Sequence, residues 1–246
     1  QDSWEWDGTA GTWTERTSTG SKPSPRFAHG MAIDSAKGLA AIFGGYDMAT
    51  GGSLNDLWFW DLAAGTWTEN QPSADWPTQR QWSSLVFDTS ASRLYLVAGY
   101  LNDQGSYYGG MGGMYGGRPV PMGDSPYYPY GFSGPSREVW ELNPATTTWV
   151  NRSAPSNSPG PRTSHAMAAD PVTGKVYVFG GQDDMGNIRD DLWEWNGDKW
   201  VECPGDVKPS ARYDTALAYD PARKSLILFG GSPPGSDPFY GYTDVL

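Results

Sequence analysis

One pattern recurs four times along this chain with constant spacing. An apolar residue and a pair of small residues ending in glycine occur at Phe43-Gly44-Gly45, Val97-Ala98-Gly99, Phe179-Gly180-Gly181 and Phe229-Gly230-Gly231. An aspartate stands eleven residues before each final glycine, and an arginine stands eight residues before each aspartate. The aspartates are Asp34, Asp88, Asp170 and Asp220, and the arginines are Arg26, Arg80, Arg162 and Arg212. Spacing conserved in four copies identifies an internal repeat of roughly 50 residues.

The second half of each repeat carries tryptophans at fixed places. An acidic residue, one further residue and a tryptophan occur at Asp2-Ser3-Trp4, Asp56-Leu57-Trp58, Glu138-Val139-Trp140 and Asp191-Leu192-Trp193, and Asp244-Val245-Leu246 begins a fifth copy. Another tryptophan follows at Trp13, Trp67, Trp149 and Trp200. Short apolar runs bounded by Asp, Pro and Gly predict four short strands per unit, which we label a to d. Four strands with short connections make an antiparallel meander, the blade of a β-propeller.

These residues carry a family resemblance. An apolar run with Gly-Gly, then an Asp-Leu-Trp strand and a spaced tryptophan, resembles the kelch repeat over nearly the whole chain. The resemblance implies an all-β, kelch-type propeller of four-stranded antiparallel blades. Because the family usually has six or seven blades, we expect the four blade-equivalents of this chain to belong to a larger propeller. A closed four-bladed ring, with one blade shared between the two termini, is the alternative.

The repeat predicts a single propeller domain over residues 1–246. Its units are 1–25 (strands c and d only), 26–79, 80–161 with an insertion at 100–137, 162–211, and 212–246 (strands a and b and the start of c). The last tryptophan of each unit offers a large apolar plate, so we expect Trp13, Trp67, Trp149 and Trp200 to be buried between neighbouring blades.

The insertion at 100–137 is the main departure from the repeat. Trp140 lies 41 residues after Gly99, whereas Trp58 lies 13 residues after Gly45. The segment shows neither helical nor strand periodicity, and such long loops are functional or disordered. Its aromatic and Met side chains suit an adaptable contact surface. The predicted partner-binding residues are Tyr107, Tyr108, Met111, Met114, Tyr115, Tyr127, Tyr128 and Tyr130. A low-complexity surface insertion is the alternative.

The four repeat arginines are the second group of candidate partner-binding residues. Arg26, Arg80, Arg162 and Arg212 begin strand a, on the same face as the insertion. In some proteins of the kelch type, arginines at this point contact acidic peptides, and a guanidinium suits a carboxylate. An arginine present in every copy also fits a repeated hydrogen-bond donor between blades, and this structural role is the stronger hypothesis.

The sequence offers little for catalysis or metal binding. His29 and His165 occupy the same position of two different units, so we expect no metal pair. Copper radical oxidases of the kelch type need a Cys–Tyr crosslink and two His ligands, whereas the chain has one cysteine, Cys203, in a predicted d–a loop. The acidic residues around Asp183 could bind calcium but lack EF-hand spacing. We predict no enzyme activity, no cofactor and no metal.

Charge and composition narrow the class of partner. The net charge of -11 argues against nucleic acid, and the chain has no apolar run of the length that a membrane-spanning helix needs. The sequence therefore predicts a non-catalytic module that binds or scaffolds protein, including self-assembly through the insertion. Few lysines and the Gly/Tyr-rich insertion favour a secreted or cell-surface location. The alternatives are a carbohydrate-binding propeller, because tryptophan and tyrosine faces also stack on sugars, and a propeller enzyme of the copper radical oxidase type.

Overall fold

Strands and turns make up the structure, a computed structural model that describes residues 2–16, 18, 20–71, 75–102, 114–115, 118–119, 133–154 and 157–235. Every regular element in these ranges is a β-strand, and the complete sheets are four-stranded and antiparallel. The prediction of an all-β fold built from propeller blades is therefore confirmed.

The chain begins with half a blade and then forms a complete one. The half-blade is a hairpin of β1 (Trp4–Asp7) and β2 (Thr12–Glu15), which correspond to strands c and d. Blade 1 follows, with its strands side by side in chain order: β3 (Gly30–Asp34), β4 (Leu39–Asp47), β5 (Gly52–Asp61) and β6 (Thr66–Asn70).

Blade 2 carries the insertion between its strands b and c. The strands of this region are β7 (Arg80–Gln81), β8 (Ser84–Asp88), β9 (Arg93–Val97), β10 (Tyr100–Asn102), β11 (Met114–Tyr115), β12 (Arg118–Pro119), β13 (Ser133–Pro135), β14 (Val139–Asn143) and β15 (Thr148–Asn151). The blade consists of β8, β9, β14 and β15, while β7, β10 and β13 form a small sheet beyond its glycine bend. The two ends of segment 100–137 are thus strands, contrary to the expectation that the whole segment is irregular.

Blade 3 is complete and is followed by a second half-blade. The strands are β16 (Arg162–Thr163), β17 (Ala166–Ala169), β18 (Val176–Phe179), β19 (Gln182–Asp183), β20 (Leu192–Trp195), β21 (Trp200–Glu202), β22 (Ala216–Asp220) and β23 (Ser225–Phe229). Blade 3 consists of β17, β18, β20 and β21, and the final half-blade is the hairpin of β22 and β23, strands a and b. The two half-blades do not pair, so the described residues form an open series of blades and not a closed four-bladed ring.

The blades pack in sequence order, with their a strands side by side. Strand β8 lies against β3 on one side and β17 on the other, and β17 lies against β22. The space between blades 1 and 2 holds one apolar core, in which the Trp149 ring stands edge-on to Phe43 with centroids 5.8 Å apart. A second core between blades 2 and 3 contains Trp200 with Tyr95 and Val97. Each buried tryptophan removes on the order of 150–250 Å² from water, which favours folding by several kcal/mol before entropy is counted.

Only part of the tryptophan prediction is confirmed. Trp149 and Trp200 are each 1% exposed, as expected for plates between blades. Trp67 is only half-buried and Trp13 is 63% exposed. The difference follows from the position of each blade, because strand d packs against the preceding blade. Trp67 is preceded by only half a blade, and Trp13 is preceded by no blade in the described residues.

The second glycine of each pair has a steric reason. Gly181 adopts φ +91°, and a Cβ on it would stand 2.6 Å from the Thr163 carbonyl oxygen. After this bend the chain crosses the segment that leads into strand a. The two segments pair through their backbones, as at Gln182 and Thr163. The arginine and its successor therefore belong to this crossing pair, not to strand a as the sequence predicted.

Candidate functional site

Each complete blade contains the same buried ion pair. The repeat arginine donates to the acidic residue two positions before the first strand c tryptophan, and that tryptophan donates its indole N–H to the same carboxylate at 2.6–3.0 Å. A further guanidinium N–H donates to a carbonyl of the small-residue pair. The nitrogen–oxygen distances are 2.5 Å for Arg26–Asp56, 2.6 Å for Arg80–Glu138 and 2.8 Å for Arg162–Asp191.

These contacts occupy the guanidiniums inside the protein. The side chains of Arg26, Arg80 and Arg162 are 4%, 0% and 2% exposed. Burial raises the pKa of Asp191, but hydrogen bonds from Arg162 and Trp193 outweigh it, and the net pKa lies below the usual value. The three pairs tie the segment before strand a to strand c of the same blade and do not bridge two blades, so their geometry indicates a structural role.

Arg212 differs from the other three arginines. It is partly exposed and donates to the Ser210 and Gly230 carbonyls and the Ser210 hydroxyl. Within the described residues no carboxylate pairs with Arg212, and the described part of this half-blade contains only strands a and b.

The residue two positions after each arginine has a left-handed backbone. Ala28, Trp82, Ser164 and Asp214 have φ between 52° and 55° without being glycine. Such a conformation costs on the order of 1–3 kcal/mol and persists only where the surroundings fix it. Here a row of backbone hydrogen bonds fixes it. The N–H of Trp82 donates to the Ala28 carbonyl at 2.9 Å, the N–H of Ser164 donates to the Trp82 carbonyl at 3.4 Å, and the N–H of Asp214 donates to the Ser164 carbonyl at 2.9 Å. These bonds link the inner ends of successive blades.

Exposed aromatic side chains gather at this point in blades 1 and 2. Phe27 is 46% and Trp82 41% exposed. The Phe27 ring lies 5.4 Å from Tyr46, and the Trp82 ring stands edge-on to Tyr100 at 6.2 Å. The bond between Trp82 and Ala28 brings the two pairs side by side. We call Phe27, Tyr46, Trp82 and Tyr100 the inner aromatic patch.

The insertion is rooted beside this patch. Strand β10 pairs with β7 on one side and with β13 on the other, where Asn102 is opposite Ser133. Tyr100 belongs both to β10 and to the patch. Met114 and Tyr115 form β11, whose backbone pairs with β12. The other predicted contact residues of the insertion, Tyr107, Tyr108, Met111, Tyr127, Tyr128 and Tyr130, lie outside the described residues.

The two histidines lie in different blades. His165 is buried, neither ring nitrogen has a hydrogen-bond partner, and burial with the Arg162 charge lowers its pKa to about 3. Burial, assisted by Arg26, also lowers the pKa of His29. His165 is therefore neutral at physiological pH.

No metal site is formed by the ranges that the structure covers, where no cluster of three or more His, Cys, Asp or Glu side chains could hold an ion. Asp183 accepts hydrogen bonds from the backbone of Met185 and from the backbone and side chain of Asn187. Its carboxylate thus organises its own loop.

The inner aromatic patch was not predicted from the sequence. Trp82 occupies a repeat position where the other units have Ala28, Ser164 and Asp214. This difference between Trp82 and the matching residues of the other units is visible in the sequence. A large aromatic side chain at a position that is elsewhere small or polar indicates a residue that the repeat fold does not require. The exposure of Trp82 depends on its left-handed backbone, which the sequence does not show.

Comparison with known proteins agrees with the geometry. The family model of the Kelch motif matches residues 161–205, which contain blade 3 with its Arg162–Asp191 pair.

The chain contains a kelch repeat and is built from blades of the kelch type.

Among its relatives is the Kelch domain-containing protein 2 of Bos taurus, 29% identical over 170 residues, covering 69% of this chain and 33% of the relative. The leucine-zipper-like transcriptional regulator 1 homolog of Drosophila melanogaster is 28% identical, with 92% of this chain and 26% of the relative covered. The acyl-CoA-binding domain-containing protein 4 of Arabidopsis thaliana is 26% identical, with 89% and 29% covered. The kelch chain thus spans a third or less of these relatives.

The described residues of this kelch chain include no helix that is long and apolar enough to cross a membrane.

Proposed function

We propose that this kelch chain is a non-catalytic protein-binding module, and that its contact surface is the inner aromatic patch with the insertion rooted beside it. Kelch repeats generally act in protein interaction, which supports the class. The observation that carries the proposal is the placement of Trp82, an exposed tryptophan on a strained backbone at the inner end of blade 2.

The chemistry of the patch supports a protein partner. Tryptophan and tyrosine are enriched among the residues that dominate binding energy, because they bury large areas with few rotatable bonds. The row of backbone hydrogen bonds from Ala28 to Asp214 holds Trp82 in place before a partner binds, so little conformational entropy is lost on binding.

The repeat arginines act indirectly in this proposal. Arg80, in the segment before strand a, is tied to the start of strand c by its pair with Glu138, and the adjoining residues Gln81 and Tyr100 pair across the crossing. The arginine therefore positions the patch, while the aromatic rings make the contact.

Site-specific crosslinking tests the proposal. A photoreactive phenylalanine analogue replaces Trp82, and the same analogue at Val172 is the matched control, because Val172 is 72% exposed on an a–b turn at the other face. We expect the analogue at position 82 to capture one protein in stoichiometric yield and the analogue at position 172 to capture none.

Two outcomes of the crosslinking experiment would contradict the proposal. Equal capture at both positions, or capture of a glycan and no protein at position 82, would contradict the proposal. The latter result would favour the carbohydrate-binding alternative.

A further inference from the structure

Asn196 begins the turn between strands c and d of blade 3. Asparagine is one of the chemically labile residues of proteins, and Asn196-Gly197 is the only Asn-Gly dipeptide of the sequence. The turn joins Trp195 to Trp200, which pair across β20 and β21, and its residues 196–199 are all exposed. Glycine has no side chain to shield its backbone nitrogen. Water and hydroxide therefore reach both residues of the dipeptide.

Hydrogen bonds hold the Asn196 carboxamide against the backbone of the turn. Its Oδ1 accepts from the backbone N–H of Asp198 at 3.1 Å and from that of Lys199 at 3.0 Å. Because Oδ1 reaches past Gly197 to these two N–H groups, the carboxamide lies on the Gly197 side of the turn. The same bonds stabilise negative charge on Oδ1, the oxygen on which charge develops when a nucleophile attacks the carboxamide carbon.

The other atoms that must react are not held by a partner. Within the described residues neither the Gly197 N–H nor the Asn196 Nδ2 donates a hydrogen bond. Gly197 has φ +93°, and a Cβ added to it would meet no atom within 4 Å. The turn therefore has room to adjust when the Gly197 nitrogen approaches the side chain.

We propose that Asn196 is a site of spontaneous deamidation. Hydroxide removes the Gly197 N–H proton, the nitrogen attacks the Asn196 carboxamide carbon, and the side-chain nitrogen leaves as ammonia with a proton from water, which closes a succinimide ring. Water then adds to one of the two ring carbonyls and breaks its bond to the ring nitrogen. The product at position 196 is aspartate or its isomer isoaspartate, and the chain, whose net charge is -11, gains one negative charge.

The repeat already accommodates the aspartate product. Asp61 occupies the same position of blade 1, and its Oδ1 accepts from the backbone N–H of Ala63 at 2.9 Å and from that of Ala64 at 2.8 Å. Aspartate at position 196 therefore keeps the turn. Isoaspartate does not, because it puts the side-chain methylene into the main chain and removes the Oδ1 acceptor. It loosens the turn beside the buried Trp195 and Trp200.

Asn143 is a matched control within the same molecule. It begins the c–d turn of blade 2, and its Oδ1 accepts from the backbone N–H of Ala145 at 3.0 Å. The next residue is Pro144, whose nitrogen carries no hydrogen and cannot form the succinimide. The two turns thus share the held carboxamide and differ in the attacking atom.

Peptide mass spectrometry of the purified 246-residue chain after incubation at pH 7 and at pH 9 gives the first test. We expect Asn196 to deamidate at least about tenfold faster than Asn143, which corresponds to a barrier lower by about 1.4 kcal/mol. The rate at Asn196 should be higher at pH 9, because hydroxide removes the proton. Asn196→Gln should abolish the reaction at this position, since glutamine would have to close a larger ring. Equal rates at Asn196 and Asn143, or a rate that does not rise with pH, would overturn the proposal.

Comparison of the folded chain with the chain in urea separates the effect of the turn from that of the dipeptide. Because the turn holds the carboxamide on the Gly197 side, we expect the folded chain to react at least as fast as the unfolded chain. Slower reaction in the folded chain would mean that the turn protects Asn196, contrary to the proposal. Trp82→Ala should leave the rate unchanged, so this result does not depend on the proposed partner-binding function.

The stability of the products gives a further check. Asn196→Asp should unfold at the same urea concentration as the wild type, because Asp61 makes the same turn in blade 1. The isoaspartate fraction of aged protein should unfold at a lower urea concentration. Loss of stability in Asn196→Asp, or an isoaspartate fraction as stable as the wild type, would contradict the role assigned to the Oδ1 hydrogen bonds.

Discussion

At the scale of single residues, Arg80 explains why the repeat keeps its arginine. Its side chain is fully buried, and it is held by Glu138 at 2.6 Å and by the Ala98 carbonyl at 3.1 Å. Removing two charges from water costs several kcal/mol, and the ion pair with its hydrogen bonds roughly offsets that cost. The pair therefore adds little net stability, but a wrong strand pairing would leave two buried charges unmatched. It favours one alignment of strand c.

His165 predicts a pH dependence of stability. Its pKa is about 3 in the folded chain, lowered by burial and by the Arg162 charge, against an ordinary value of 6.5. Between these values the unfolded chain binds more protons, so the free energy of unfolding falls as pH falls below 6.5, by about 1 kcal/mol per pH unit from this group. Urea denaturation between pH 7 and pH 5 measures the slope.

A variant drawn from the repeat itself isolates the effect of His165. His165→Ser copies the residue that blade 2 has at this position, Ser83. We expect the slope between pH 6.5 and pH 5 to fall by most of the His165 contribution. His29→Ser is the control, and it should change the slope less because His29 is only partly buried. An unchanged slope in His165→Ser would show that the buried imidazole is not the group that titrates.

At the scale of elements, the glycine bend makes a sharp prediction. Gly181→Ala would place a Cβ 2.6 Å from the Thr163 carbonyl oxygen on a backbone with φ +91°. Gly186→Ala has φ +84° but meets no atom within 4 Å. Both variants carry the left-handed penalty of about 1–2 kcal/mol, and only Gly181→Ala adds a backbone clash.

Urea denaturation of the two glycine variants separates the contributions. We expect Gly181→Ala to lose at least about 2 kcal/mol more unfolding free energy than Gly186→Ala, since a clash with main-chain atoms forces the crossing apart. Equal losses would mean that the glycine is needed only for its backbone angle and not for the close approach.

The elements also show how far the sequence alone could go. Constant spacing of Arg, Asp, Gly-Gly and Trp predicted the four-stranded unit, its order and the buried plates Trp149 and Trp200. The prediction that Trp13 is buried was wrong, because the burial of this tryptophan depends on the neighbouring blade and not on the residues of its own blade. The kink at Trp82 was also missed, since a left-handed backbone in a non-glycine residue is imposed by hydrogen bonds from another blade. The predicted extracellular location stays a prediction.

At the scale of the whole molecule, the blades have unequal support. Blade 2 is covered on both sides by apolar cores, whereas neither core includes a residue of the β1–β2 or β22–β23 hairpin, and these hairpins expose Trp13 and Phe229. In the kelch chain, the inner aromatic patch therefore stands at the joint between blade 1 and the best-supported blade. A rigid joint carrying exposed aromatic rings is suited to binding a partner without rearrangement.

The most direct test of the proposed contact surface measures how tightly the protein captured at position 82 binds a chain without its insertion. Residues 103–132 are replaced by Asn-Gly, a two-residue turn that joins Asn102 to Ser133, which are opposite each other in the β10–β13 pair. We expect the deleted chain to keep its unfolding midpoint and to bind at least about tenfold more weakly, a loss of roughly 1.4 kcal/mol, and we expect Val172→Ala to bind as the wild type. Full affinity in the deleted chain, together with full affinity in Trp82→Ala, would contradict it.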